Sequence, residues 1–175
     1  TSDIVFTESD FAAGGAFYNS GAGWNPVGTA AVPFRGAFNG AGHVISGLTS
    51  NYTTSGYDAA NVGLFGYSEG TINNVGLPDC KFTISAEQCY AGSVLGFQKS
   101  GTVSGCYATG TMTNDKGYGS SNYIGGIVGY LQNGTISSCY YAGEAALDEG
   151  IIGGIAGHAN LDTVISDCYN AGNLM

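Results

Sequence analysis

Two histidines, five cysteines and thirteen acidic residues are the side chains here that could shuttle protons, attack an electrophile or hold a metal. Their spacing argues against each use. Cys80, Cys89, Cys106, Cys139 and Cys168 form no CxxC pair, and neither His43 nor His158 stands at ligand spacing from two cysteines, so no zinc site is expected. His43 falls in the turn "GAGHVISGL". His158 follows a glycine motif whose other copies carry Tyr67, Phe97 and Tyr130, so both histidines read as turn or surface-ladder residues rather than general bases. The acids (Asp3, Glu8 and Asp10 early; Asp148, Glu149, Asp162 and Asp167 late) recur at no fixed position, and G-x-S-x-G, HExxH and P-loop motifs are absent. Calcium lacks its glycine-aspartate nonapeptide. The expectation is a chain with no catalytic residue, no metal and no cofactor.

Charge narrows the partners. With a formal net charge of −9 and only Arg35, Lys81, Lys99 and Lys116 as strong cations, the chain would repel nucleic acid and anionic membrane surfaces. The same few cations suit a uronate-cleaving active site poorly. No run of about 18 apolar residues is present for membrane insertion, and the start at Thr1, without a signal core, reads as a mature or excised piece. The 175 residues suffice for one domain, and 43% of them are hydrophobic. Glycine is the outlier, at 31 residues set among apolar neighbours, which points to tight corners and close backbone approach rather than a linker.

The elements that must position these side chains are repeats. "VGLFGY" from Val62, "GSVLGF" from Gly92, "GGIVGY" from Gly125 and "GGIAGH" from Gly153 share Gly66, Gly96, Gly129 and Gly157, at intervals of 30, 33 and 28 residues. That is a solenoid period. A second anchor follows each time: Ile72 with Val75, Val103 with Cys106, Ile136 with Cys139 and Ile165 with Cys168, and an earlier pair, Ile45 with Leu48, fits the same spacing. A strand cannot turn residues i and i+3 inward unless the chain bends between them, so each pair marks a corner. A helix would also align i and i+3, but Ser-Gly, Asn-Asn and recurrent glycine are poor helix interiors.

Stacked coils place like on like. Ile45, Ile72, Val103, Ile136 and Ile165 are expected as one core ladder, and Cys106, Cys139 and Cys168 as buried thiols in another, poorly aimed for disulfides. Cys80 and Cys89 either pair or alternate inward on strands. Tyr107, Tyr140 and Tyr169 follow the ladder cysteines, so alternation turns them outward into a stripe that either binds a sugar face or protein, or merely covers the wall. The insertions "NYTTSGYDAAN" and "NDKGYGSSNY" fall at one place in the repeat and should protrude from one edge. Their contact residues would be Tyr57, Asp58, Tyr118 and Tyr123, unless both are plain solvated loops. Thr71, Thr102 and Thr135 form a single row that Val164 breaks, too little for an ice-binding array.

"GLFG" at 63–66 with "GTINNVGL" resembles the GLUG motif, and "GGIVGY…GTISSCYYAG" is similar to its more degenerate copies. "WNPVGT" and "FRGAFNGAGHVISGL" resemble the lead-in to such repeats, with Asn39 where an acid is usual and Ala41 where a polar residue is. The resemblance spans about residues 24–175. It implies a bacterial extracellular β-solenoid of the kind found in adhesin-like surface proteins and in noncatalytic regions of immunoglobulin A-cleaving metallopeptidases. It implies no reaction, because its signature residues are glycines and core aliphatics.

The sequence thus predicts an all-β, right-handed parallel β-solenoid of about six coils. Residues 1–33 would form an irregular first coil or cap, and 34–61, 62–90, 91–123, 124–151 and 152–175 the successive coils, with no polar cap after "NAGNLM". The expected function is a non-catalytic cell-surface adhesin-type module binding a host glycan or protein. The alternative is a structural spacer, or a subunit that self-associates end to end into a fibre.

Overall fold

The computed structural model describes residues 2–54, 59–116 and 122–175. Parallel strands wind into a solenoid with four walls, each a sheet whose neighbouring strands come from successive coils. The first wall holds Ala60–Val62, Cys89–Gly92, Asn122–Gly125 and Ile151–Gly153, and the second holds Phe65–Ser68, Leu95–Gln98, Val128–Leu131 and Ala156–Ala159. Ala37–Asn39, Thr71–Asn73, Thr102–Ser104, Gly134–Ser137 and Thr163–Ser166 make the third wall. The fourth is the widest, with Thr49–Thr53, Gly76–Ser85 and Tyr107–Asn114, then Tyr140–Tyr141 with Glu144–Leu147, and Tyr169–Asn170 with Asn173–Leu174.

Register follows the repeat. Ile72, Val103, Ile136 and Ile165 occupy one rung position on the third wall. The first three are buried, and each contributes about 1.5–3 kcal/mol of apolar burial. Ile165, in the last coil, is 43% exposed, which shows that a rung is buried only when a further winding covers it. Between the members of each anchor pair the backbone enters the left-handed region, at Asn74, Gly105, Ser138 and Asp167. Those are the corners that the three-residue spacing predicts.

Two expectations need correction. The first ladder position belongs to Phe38, which pairs with Ile72, whereas Ile45 pairs with Ile4. Gly47 gives the Ile45–Leu48 pair the same left-handed corner (φ 70°), so the local turn is as expected and only its rung differs. The solenoid also has four complete windings rather than about six, because residues before Ala60 supply strands only to the third and fourth walls and to a separate two-stranded sheet, Ile4–Val5 with Ile45–Ser46. Earlier still, Val27 and Phe34 merely bridge to Phe65 and Ser68 of the second wall.

The N-terminal end is closed by aromatic packing. Phe6 touches Phe11, Phe17 and Trp24, and the Trp24 indole N–H donates to the Leu64 carbonyl at 3.0 Å. A short helix, Glu8–Phe11, sits in this cap, its first turn tied by the Asp10 carboxylate accepting from the Thr7 backbone N–H at 2.7 Å.

The shared glycines have a steric reason. At Gly96 a Cβ would lie 2.7 Å from the Tyr90 carbonyl oxygen and from the Val62 nitrogen, and at Gly129 it would meet the Ala91 nitrogen. First and second walls therefore approach backbone to backbone, which no larger residue permits. Leu64 and Phe65 are both buried, as are Val94 with Leu95 and Ile127 with Val128, because the chain turns between the two members of each pair.

Candidate binding surface

The cysteine ladder comes first, because it fixes where the tyrosines point. The Cys106 and Cys139 thiols each donate at 3.2 Å to the carbonyl two residues back, on Ser104 and Ser137. The Cys106 backbone N–H donates to the Cys139 sulfur, and the Cys139 N–H to the Cys168 sulfur, both at 3.4 Å. Each thiol thus satisfies backbone groups stranded by the corner. All five cysteines are free, so Cys80 and Cys89 alternate inward rather than pair. Burial pushes both of those thiols up to about 12. Such thiols are inert as nucleophiles at neutral pH.

Two residues past the corner, Tyr107, Tyr140 and Tyr169 share a rung position on the fourth wall. Ring centroids lie 4.9 and 5.1 Å apart, with planes parallel to within 3° and 6°. Gly76 occupies the rung before them, and the Tyr107 ring lies in the space a Cβ would fill. The flat faces that would suit sugar stacking are turned toward one another along the stack, which corrects the simplest sequence-based picture. Ring edges and phenolic hydroxyls face outward instead, and among the described residues no protein group bonds the three hydroxyls.

The third wall's last outward row, Asn73, Ser104, Ser137 and Ser166, runs parallel to this stripe just before the corner. The Ser104, Ser137 and Ser166 hydroxyls are likewise unbonded within the described chain. The corner therefore carries two parallel lines of water-facing hydroxyls, each repeating once per coil.

A second aromatic group lies outside the first and second walls. Tyr67, Phe97, Tyr130 and His158 stack at 4.7, 4.8 and 4.7 Å. Tyr90 and Tyr123, on the first wall, wedge against them: Tyr90 meets Phe97 at 57° and Tyr130 at 57°, and Tyr123 meets Tyr130 at 70° and His158 at 48°. The Tyr130 hydroxyl donates to Asn160 Oδ1 at 3.1 Å, and His158 Nε2 lies 3.0 Å from the same oxygen. These rings are occupied with each other. The sequence held the signal, since Tyr90 precedes Phe97 and Tyr123 precedes Tyr130 by the same seven residues, but only the folded corner shows that the two rows meet.

Of the expected loop contacts, Tyr57, Asp58 and Tyr118 lie outside the described residues. Tyr123 is not a loop residue: it sits on the strand Asn122–Gly125, inside the interlocked cluster. Both insertions do join the fourth wall to the first, at one corner of the repeat. Elsewhere, His43 Nδ1 lies 3.0 Å from Asp3 and ties the N-terminal strand down. Glu69 accepts from Lys99 Nζ and Arg35 Nε, each at 2.9 Å, which holds its carboxyl below the usual range. Both cations are largely exposed, so the cluster adds little stability.

The GLUG motif model matches residues 120–144, the copy containing "GGIVGY…GTISSCYYAG" rather than the one spelling "GLFG". No curated protein sequence matches the chain. Among solved structures, a "putative immunoglobulin A1 protease" from Bacteroides ovatus superposes with a TM-score of 0.53 at 22% identity, covering 86% of this chain and 56% of that one. The likeness shows a shared β-solenoid fold, and this chain spans little more than half of the neighbour's length.

Proposed function

We propose that this chain is a non-catalytic extracellular recognition module of a bacterial surface or secreted protein, contacting a host glycan or protein through the Tyr107–Tyr140–Tyr169 wall. The observation that carries the reading is the row of three stacked tyrosines whose hydroxyls have no partner within the described chain. These hydroxyls are available to a ligand, whereas the Tyr130 hydroxyl is taken by Asn160. The GLUG repeat and the Bacteroides neighbour, whose name refers to a protease of a host antibody, support a bacterial extracellular setting. Within this reading any catalysis belongs to other parts of a longer protein.

The test is an array of host glycans and extracellular proteins, probed with the parent chain and with a Tyr107→Ala, Tyr140→Ala, Tyr169→Ala triple variant. Binding by the parent that the variant loses is the expected result, and parent and variant behaving alike across the array would reject the wall as the contact. A second reading, a spacer or stacking subunit, draws on the exposed last coil, where Ile151 and Val164 face outward and Ile165 lies uncovered on its inward rung. Sedimentation that stays monomeric at high concentration would count against self-stacking.

A further inference from the structure

The third–fourth corner constrains its ligand further than "glycan or protein", and the inference rests on the reading just given. We infer that the wall takes a neutral, extended, equatorially linked polysaccharide lying along the solenoid axis, with one sugar ring per coil.

Periodicity is the first reason. The Tyr stripe and the Ser104–Ser137–Ser166 row repeat by translation along the axis, with tyrosine centroids 4.9 and 5.1 Å apart. A 1,4-linked pyranose chain with both bonds equatorial is straight and advances by about one such rung per sugar, alternate rings being turned over, so successive rings present opposite hydroxyl-lined edges to the same pair of rows. An α-linked chain coils and leaves the rows after a rung or two. An extended peptide advances roughly 3.3 Å per residue, so it falls out of step with rungs of this spacing.

Chemistry is the second reason. Stacked tyrosines offer CH-bearing ring edges and phenolic hydroxyls, and the serine row offers hydroxyls that both donate and accept. A sugar edge, with hydroxyls that also do both, is complementary to such a surface. An aliphatic or aromatic protein side chain would leave these hydroxyls without partners and incur the desolvation cost of each.

Charge is the third. The chain carries −9 with four strong cations, and none of the four stands in either row. Asp167 lies at the same corner, one residue before Cys168, and is exposed. A uronic or sulfated polymer would be repelled, so the chain bound must be uncharged.

The experiment uses titration calorimetry on the full chain with four soluble probes: cellohexaose, mannohexaose, maltohexaose and heparin. The expected result is binding of cellohexaose or mannohexaose at least tenfold tighter than maltohexaose, with no heparin binding. Affinity should rise with chain length through about three sugars and then level off, since the stripe has three tyrosine rungs. Tyr140→Ala and, on the serine row, Ser137→Glu should each weaken binding tenfold or more. Tyr67→Ala, on the other aromatic wall, should leave it unchanged, and far-UV spectra and melting curves check that each variant is folded.

Equal affinity for cellohexaose and maltohexaose would overturn the axial, one-ring-per-coil inference. So would heparin binding, or capture of a host protein alone, when either is lost in Tyr140→Ala, although the wall would then still be the contact surface. Binding of every probe unaffected by Tyr140→Ala and Ser137→Glu, or no binding of any probe or arrayed ligand, would overturn both the inference and the reading beneath it.

Discussion

The first–second corner and the third–fourth corner both stack aromatic rings once per coil, yet they use those rings differently. At the first, Tyr90 and Tyr123 wedge into the Phe97–Tyr130–His158 stack, so that Tyr130 meets Phe97, Tyr90, Tyr123 and His158. At the second, Tyr107, Tyr140 and Tyr169 meet only one another among the described rings. The difference begins in the backbone. Glycines at 96 and 129 let two walls close until outward side chains on both converge, whereas the third and fourth walls are joined through a left-handed turn at Ser138. A closed corner makes a clamp, and an open one makes a surface.

The largest effect should come from attacking that backbone difference. Gly129→Ala would drive a Cβ into the Ala91 nitrogen and to 2.7 Å from the Tyr90 carbonyl carbon, neither of which can move alone. A loss of about 3 kcal/mol is expected in urea unfolding. Gly76→Ala at the open corner meets only the tip of the Tyr107 ring, which can swing aside, so it should cost under about 1 kcal/mol. Equal costs would mean that the two corners are equally rigid.

Side chains should follow the same order. Tyr130→Ala removes ring contacts to Phe97, Tyr90, Tyr123 and His158 together with the bond to Asn160, and should cost about 2–3 kcal/mol. Tyr140→Ala loses two stacked neighbours at a solvated position and should cost about 1 kcal/mol, while being the change that abolishes ligand binding. Melting temperature and calorimetric affinity, measured on both variants, separate clamp from surface.

What could be read without coordinates was whatever repeats by translation. Ile72, Val103, Ile136 and the tyrosine stripe were legible because each copy carries the same residue class at the same offset. Rung assignment failed for Ile45, since a sequence that specifies a corner does not specify which wall it joins, and Phe38 supplied the missing rung from "FNGA". The clamp escaped for a related reason. Tyr90 and Phe97 sit on different strands, and their meeting depends on the angle at a glycine corner, which no single strand pattern encodes.

Both walls also bury a thiol, Cys89 in the first and Cys80 in the fourth, and here the contrast should vanish. Burial raises each to about 12 in the folded chain, against about 8.5 when unfolded. Below about pH 8.5 both states hold the proton and stability is unaffected. Above it the unfolded thiol ionises while the folded one does not, so stability falls as pH rises toward about 12, by on the order of 1.4 kcal/mol per thiol for each pH unit. Melting followed from pH 8 to 10 should show this decline, and Cys80→Ala and Cys89→Ala should flatten it by similar amounts.

The smallest effect tests the turn that leads into the open stripe. Ser138 holds φ of 53°, a region costing an L-residue about 1–2 kcal/mol that glycine occupies freely, as Gly105 does one coil earlier. Glycine at that position also makes the unfolded chain more flexible, which returns roughly 0.4–1 kcal/mol of the gain. Ser138→Gly should therefore stabilise the chain by about 0.5 kcal/mol in urea titrations. Because the substitution relieves the corner without moving Tyr140, ligand affinity should stay at the parent's value. A fall in affinity at raised stability would show that the strained serine, rather than the ring two residues on, positions the open wall.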